Sequence, residues 1–399
     1  MLDAYIYAGI RSPFGKQAGA LASVRPDDLL AQVIAKLVAQ TGIDPALLDD
    51  IIVGCANQAG EDSRCVARHA GLLAGLPIEV GGTVMQRNCG SGLGALVAAS
   101  HALTAGEGQL MLVGGVESMS RAPFVVAKAE AAYSPNMTVF NSAVGVRFPN
   151  PRIEAQFGND TMPQTADNLA QEYGISREDA DRFACASQDK YRAASDAGWF
   201  DEEIVAIDIP AKGRAPATSI AVDEHPRAAT MESLGKLKAL HAGGVTTAGN
   251  ASGINDGAGA LLMGSAGIGQ RLGLKPLARV LASGVCGVPP RTMGIGPVPA
   301  SEKALQRCGL DIGRMSVIEI NEAFASQALA CVKGLGLELT DERVNPNGGA
   351  IALGHPLGAS GIRLALTAIR QLHRTNQQYA LATMCIGVGQ GISVVLERC

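Results

Sequence analysis

Two distant stretches of the chain carry the same design, and that repetition limits the fold more than any other feature. The apolar run Ile51-Ile52-Val53-Gly54 gives way to polar Asn57-Gln58, and Val317-Ile318-Glu319-Ile320 gives way to Asn321-Glu322. Both read as strands emptying into functional loops. Cys89 lies 38 positions after Ile51 (89 − 51), and His355 lies 38 after Val317 (355 − 317). Each endpoint stands at a glycine-rich turn before a helical stretch, Gly90-Ser91-Gly92-Leu93-Gly94-Ala95-Leu96-Val97 in one case and Gly358-Ala359-Ser360-Gly361-Ile362-Arg363-Leu364 in the other. Further strands follow, Leu110–Val113 before Gly114-Gly115 and Ala380–Thr383 before Met384-Cys385. The pattern predicts two equivalent α/β halves, with Cys89 and His355 on matching turns across a pseudo-dyad.

A length of 399 residues exceeds one ordinary core and suits two large α/β units plus an insertion. The 49 glycines and only 4% aromatic residues point to tight turns and close helix packing, not to an aromatic-rich carbohydrate or nucleic-acid surface. The net charge is −4 and no basic block recurs, which argues against nucleic acid and anionic membrane as partners. Nine scattered cysteines with no Cys-x-x-Cys, and six dispersed histidines, indicate neither a disulfide framework nor a metal site. The N-terminus has no basic region before an apolar run, and no apolar stretch reaches membrane-spanning length, so a reduced, cytoplasmic setting is expected.

Residues 121–245 have a different texture, with polar, proline-bearing stretches around Ser134-Pro135-Asn136 and Phe148-Pro149-Asn150-Pro151. A helix from Ser176 to Ala194 interrupts them, with Ser176 as N-cap and Asp179 at the third helical position as a weak analogue of the capping-box Glu or Gln. An insertion of this length is expected to form a lid or ligand-binding loop domain. The halves are then 1–120 with 246–272, and 273–399.

Three constellations carry candidate chemistry. Cys89 precedes a glycine-rich helix start, where free N–H groups and the helix dipole are expected to lower a thiol pKa; the alternative is a small buried cysteine at a tight turn. His355, in Gly354-His355-Pro356, is a base or oxyanion donor restrained by its neighbours, or a structural histidine. Cys385 opens Cys-Ile-Gly-Val-Gly-Gln-Gly after a strand; Ile392-Ser393-Val394-Val395-Leu396 leaves no room for the helix that a dinucleotide fingerprint requires.

These three, with Asn321 in Asn-Glu-Ala-Phe, resemble the thiolase family in order and spacing. The resemblance runs from end to end, through Gly114-Gly115-Val116-Glu117-Ser118-Met119-Ser120 and Thr247-Ala248-Gly249-Asn250-Ala251-Ser252-Gly253. Within the family, Gly54–Asp62, Ser120–Val125 and Met293–Ala300 are similar to the 3-oxoadipyl-CoA thiolases of aromatic-compound degradation. Two departures bear on the acyl pocket: Gln86-Arg87-Asn88 stands where that group usually has Asn-Arg-Leu, and Val146 where it commonly has tryptophan. Thr161 stands where many biosynthetic relatives have histidine.

The resemblance implies a five-layer fold of helix, sheet, helix, sheet and helix, made of two βαβαβαββ halves. It implies Cys89 as nucleophile, His355 as its base, and Cys385 as the acid/base for the departing acetyl-CoA carbanion and then for incoming CoA. His355 with a water held by Asn321 would form one oxyanion hole, and the N–H groups of Cys89 and Gly387 the other. Arg227 would meet the CoA nucleotide, Ser252 the pantetheine arm, and Met162 and Phe324 the acyl end. Coenzyme A enters as substrate, with no tightly bound cofactor and no metal, and the protein would be a homodimer or homotetramer. A terminal carboxylate on the acyl group would need a cation, with Arg121, Lys128 and Arg147 as candidates. The rivals are an acetoacetyl-CoA thiolase, a broad 3-ketoacyl-CoA thiolase and a non-catalytic acyl-CoA-binding protein. A ketoacyl synthase would need a second histidine where Cys385 stands.

Overall fold

A computed structural model describes residues 2–214 and 216–399. Ten strands hydrogen-bond into one sheet, composed of two arrays with the same internal order. In the first array Thr83–Met85, Asp50–Gly54 and Leu110–Ser118 run parallel, and Asn255–Gly264 and Tyr5–Arg11 continue antiparallel. In the second, Val317–Ile320 pairs parallel with Tyr379–Ile386, and Gln390–Arg398 and Ala278–Gly287 continue antiparallel. A single parallel bridge from Ile318 to Val344 occupies the place that Thr83–Met85 has in the first array. The arrays join where Tyr5 and Ile6 pair with Arg279 and Ala278.

Strand alternation sorts the core into layers, because successive side chains point to opposite faces. In Leu110–Ser118, Met111 and Val113 face the helices Ser91–Ala105 and Leu357–Arg374, while Leu110 and Leu112 face the helix Pro26–Thr41. In Gln390–Arg398, Val394 and Leu396 face the same two central helices, and Val395 faces the residues Ala304, Cys331 and Val332 of Pro297–Cys308 and Ala325–Gly334. The two central helices therefore lie between the arrays, which gives the expected helix, sheet, helix, sheet, helix stack. Leu357–Arg374 is buried along nearly its whole length, as a helix covered on every side must be.

Those helices cross at glycines. A Cβ on Gly92 would come within 2.5 Å of Gly358 O, and one on Gly361 within 2.2 Å of Leu93 N. No side chain fits there, so the two helix starts approach backbone to backbone. Cys89 and His355 each stand one residue before the N-cap of its helix, the caps being Gly90 and Pro356. The repeat seen in the sequence is thus a repeat in space.

The insertion contains two small ribbons, Phe124–Val126 with Val139–Asn141 and Ile207–Ile209 with Thr218–Ile220, and the helices Met162–Tyr173 and Arg177–Asp196. The Ser176 capping box is complete, with Asp179 bonded back to the Ser176 backbone. Fully buried Arg11, on the first strand of the core, binds Glu203 at 2.5 Å and Asp223 at 2.7 Å and so fastens the far part of the insertion. Among the described residues no helix is long and apolar enough to cross a membrane.

Candidate active site

His355 is buried, and its contacts fix both its pose and its tautomer. Its backbone N–H donates to Asn255 Oδ1 at 2.9 Å, and the preceding Gly354 has φ +103 with no space for a Cβ beside Asn255. Its Nδ1 lies 2.6 Å from Ser360 Oγ, whose own hydrogen goes to Pro356 O at 3.0 Å. The hydroxyl must therefore accept from Nδ1–H, which leaves Nε2 unprotonated. Burial, and secondarily the charge of Arg363, pushes the imidazole down to about 3. At neutral pH the imidazole is uncharged, with Nε2 as an acceptor.

Asn321 follows the strand Val317–Ile320, with its N–H on Thr383 O, and its Nδ2 lies 3.4 Å from His355 Nε2. Asn321 Oδ1 is buried and makes no hydrogen bond among the described residues. Cys385, near the end of Tyr379–Ile386, is buried in an apolar cluster with Ala166, Ala251, Met293, Ala323 and Phe324. Burial raises its thiol well above the ordinary value, and the neighbouring Cys89 thiol adds to the shift.

Cys89 is half-buried, and the N–H groups of Gly387 and of Cys89 itself reach its sulfur. The expected lowering of its pKa is not what the structure gives. Burial dominates and pushes the thiol up to about 11, while the two N–H groups pull the other way without prevailing. Cys89 therefore rests as a thiol, and reaction requires a base close to the sulfur.

Met162 opens the helix Met162–Tyr173, is 38% exposed, and its Sδ would lie 3.6 Å from a Cβ on Gly387. Met162 thus lies against the Gly387 turn, and Phe324 against Cys385. Ser252 N–H donates to Ala323 O at 3.0 Å, and Ala251 bridges to Phe324, which pins the Thr247–Gly253 segment to the Asn321 turn. Half-buried Arg227 bonds to His225 Nε2 at 2.9 Å and to Ala248 O at 3.1 Å, beside Ser252's segment.

The three candidate cations part company. Arg121 binds Glu61 through two nitrogens and lines a separate open cavity of about 710 Å³ with Arg25, Arg64 and His69. Lys128 is exposed beyond the first ribbon. Arg147 donates to Asn57 Oδ1 and Asn57 O, both at 3.0 Å, and these are neutral acceptors.

Sequence reasoning missed two groups that hold the site. Ser360 sits within a quoted glycine turn, and its signal was its place four residues after Pro356, where a helical serine reaches back to a carbonyl. Buried Glu117 accepts from Ala56 N and Asn57 N at 3.0 Å and from Gly358 N at 2.9 Å, joining the loop under Arg147 to the helix start beside His355. Burial lifts its carboxyl from 4.5 to about 7. The folded protein holds this proton between about pH 4.5 and 7 where the unfolded chain releases it, so the contribution is full below 4.5 and lost as pH rises through 7. Glu117→Gln should accordingly lose less thermal stability than the wild type when pH is raised from 5 to 8. Melting curves at the two pH values check this, and a steeper loss in the variant would contradict it.

Comparison with known proteins follows the same lines. The thiolase N-terminal domain profile matches residues 4–267 and the thiolase C-terminal domain profile residues 274–398. The chain is 54% identical over 401 residues to the 3-oxoadipyl-CoA/3-oxo-5,6-dehydrosuberyl-CoA thiolase of Escherichia coli, covering 100% of both chains. It is 53% identical over 401 residues to a beta-ketoadipyl-CoA thiolase of Acinetobacter baylyi, again over 100% of both. Its structure matches the Bacillus anthracis acetyl-CoA acetyltransferase with a TM-score of 0.93 at 36% identity, over 100% of this chain and 99% of that one.

Proposed function

From the premise that the chain belongs to the thiolase family of acyltransferases, we propose that it cleaves 3-oxoadipyl-CoA with CoA to succinyl-CoA and acetyl-CoA, and runs the reverse condensation. The observations that support the chemistry are two neighbouring thiols, Cys89 flanked by two N–H groups and buried Cys385, together with a buried His355 whose Nδ1 is committed to Ser360 and whose Nε2 faces Asn321. Support for the substrate comes from the full-length relatives at 53% and 54% identity.

In this reading the Cys89 proton passes to His355 Nε2, and the thiolate attacks the 3-keto carbon of the substrate. The developing alkoxide faces the N–H groups of Cys89 and Gly387. When it collapses, the C2–C3 bond breaks and its electron pair leaves on C2 of the acetyl-CoA fragment, whose thioester oxygen, as an enolate, is met by His355, now protonated, and by a water on Asn321. Cys385 gives that carbon its thiol proton, and acetyl-CoA departs. The Cys385 thiolate takes the proton of incoming CoA, and CoA attacks the thioester on Cys89. The second tetrahedral oxygen faces the N–H groups of Cys89 and Gly387. Cys89 leaves as thiolate and recovers its proton from His355, so both thiols end as they began.

A thiol pushed up to about 11 reacts slowly with stray electrophiles, because the thiolate is the nucleophile. Arg227 and Ser252 would meet CoA, and Met162 and Phe324 the acyl chain. Arg147, the candidate cation bound by neutral groups alone, would meet the distal carboxylate. We take the protein to be a cytoplasmic homodimer or homotetramer.

The substrate assignment is tested by kcat/KM for 3-oxoadipyl-CoA, 3-oxohexanoyl-CoA and acetoacetyl-CoA. A site built for a charged group leaves its own polar partners unpaired when that group is absent, so the dicarboxylic substrate should lead its uncharged chain-length match by at least ~10-fold. Equal efficiencies, or a preference for acetoacetyl-CoA, would return the chain to the general acetyl-CoA acetyltransferases.

A further inference from the structure

We propose that Asn88 is a positioning residue that clamps the turn carrying Gly387 against the nucleophile, a role that rests on Cys89 being the acyl carrier. The turn Gly387–Gln390 cannot hold its own shape cheaply. Val388 has φ +70, and a β-branched side chain in the left-handed region is strained. Such a conformation persists only where the surroundings enforce it. Strand pairing of Gln390 with Ile386 and Gly287 closes the base of the turn, and three further contacts hold its tip: Val288 N–H on Gly389 O at 2.9 Å, Arg87 Nη1 on Gln390 Oε1 at 3.1 Å, and Asn88 Nδ2 on Gly387 O at 3.2 Å.

Asn88 is suited to the task in its backbone and in its side chain. Its φ is +43, a region that asparagine enters at lower cost than larger residues do. Gln86 Nε2 donates to Asn88 Oδ1 at 3.0 Å, which orients the amide so that its N–H₂ faces Gly387 O. Gly387 is free in both backbone dihedrals, and its N–H is one of the two that reach the Cys89 sulfur. Holding its carbonyl restricts that freedom beside the atom where a thioester oxygen would acquire charge. The loop that supplies the nucleophile therefore also supplies the brace for the partner loop.

The test compares Asn88→Gly and Asn88→Asp with the wild type. The first keeps the left-handed backbone and removes the amide; the second keeps size and removes the donor. Both should lower kcat for thiolysis by about 10-fold or more, with KM within about threefold, since a donor that is displaced and not deleted loses part of the 10²–10³-fold that one oxyanion donor supplies. Steady-state kinetics with melting temperatures decide it. A kcat within threefold of wild type in both variants overturns the proposal.

A second measurement separates bracing from mere packing. Val388→Asn relieves the strain that Asn88 opposes, so Asn88→Gly should cost less in that background than in the wild type. Equal costs in the two backgrounds would also overturn the proposal.

Discussion

Cys89→Ala should fold with an unchanged melting profile and lose thiolysis and condensation by at least ~10³-fold, because no other group can carry the acyl chain between the two CoA molecules. The remaining cysteines are poor substitutes. Cys385 is buried, with its thiol raised well above the ordinary value, and Cys55 is buried beside Asp62 and Glu117, which raise it as well. His355 keeps its place in the variant, since its contacts run to Asn255, Ser360 and Asn321 and not to residue 89. Loss of activity with an intact base would therefore isolate the nucleophile. Retention of more than a tenth of the wild-type rate would remove Cys89 from that role.

Cys385→Ser is expected to divide the reaction. Cys89 should still accept an acetyl group from acetyl-CoA, though more slowly, because the departing CoA thiolate can take its proton from water and no C2 proton has yet to be removed. Condensation should disappear, and thiolysis should slow by at least ~10²-fold, the scale of a lost general acid/base. A serine hydroxyl is far harder to ionise than a thiol in the same buried cluster. Exchange of the acetyl-CoA α-protons in deuterated buffer reads the role directly, and a wild-type exchange rate in the variant would contradict it.

The layered fold was legible because strand and helix spacing repeat around one pair of turns. The strand Val317–Ile320 falls where the apolar run places it, and Ile51–Gly54 is extended by Asp50 alone. Leu110–Ser118 runs on through two glycines and a buried acid, residues that read as a loop when taken one by one. Glu117 explains the difference, because a carboxylate inside a strand is tolerable only where backbone N–H groups meet it, and those come from distant loops.

The members of the proposed site could be named from sequence motifs, but their electrostatics could not. A helix N-terminus alone predicts a low thiol pKa for Cys89, yet enclosure between two layers outweighs it, and enclosure is a tertiary property. Ser360 escaped for a related reason, since its contact is a single hydrogen bond to His355 Nδ1, and Asn88, read from sequence only as a departure near the acyl pocket, makes its bond to Gly387 O across segments with no local sequence relation.

The central claim, that acyl transfer passes through Cys89, is tested most directly by mixing the protein with acetyl-CoA, quenching in acid and mapping adducts by peptide mass spectrometry. A single acetyl group on the peptide containing Cys89, absent in Cys89→Ala and removed by added CoA, is the predicted result. An acetyl group on Cys55, Cys65 or Cys385 in place of Cys89, or no CoA-reversible adduct at all, would contradict it.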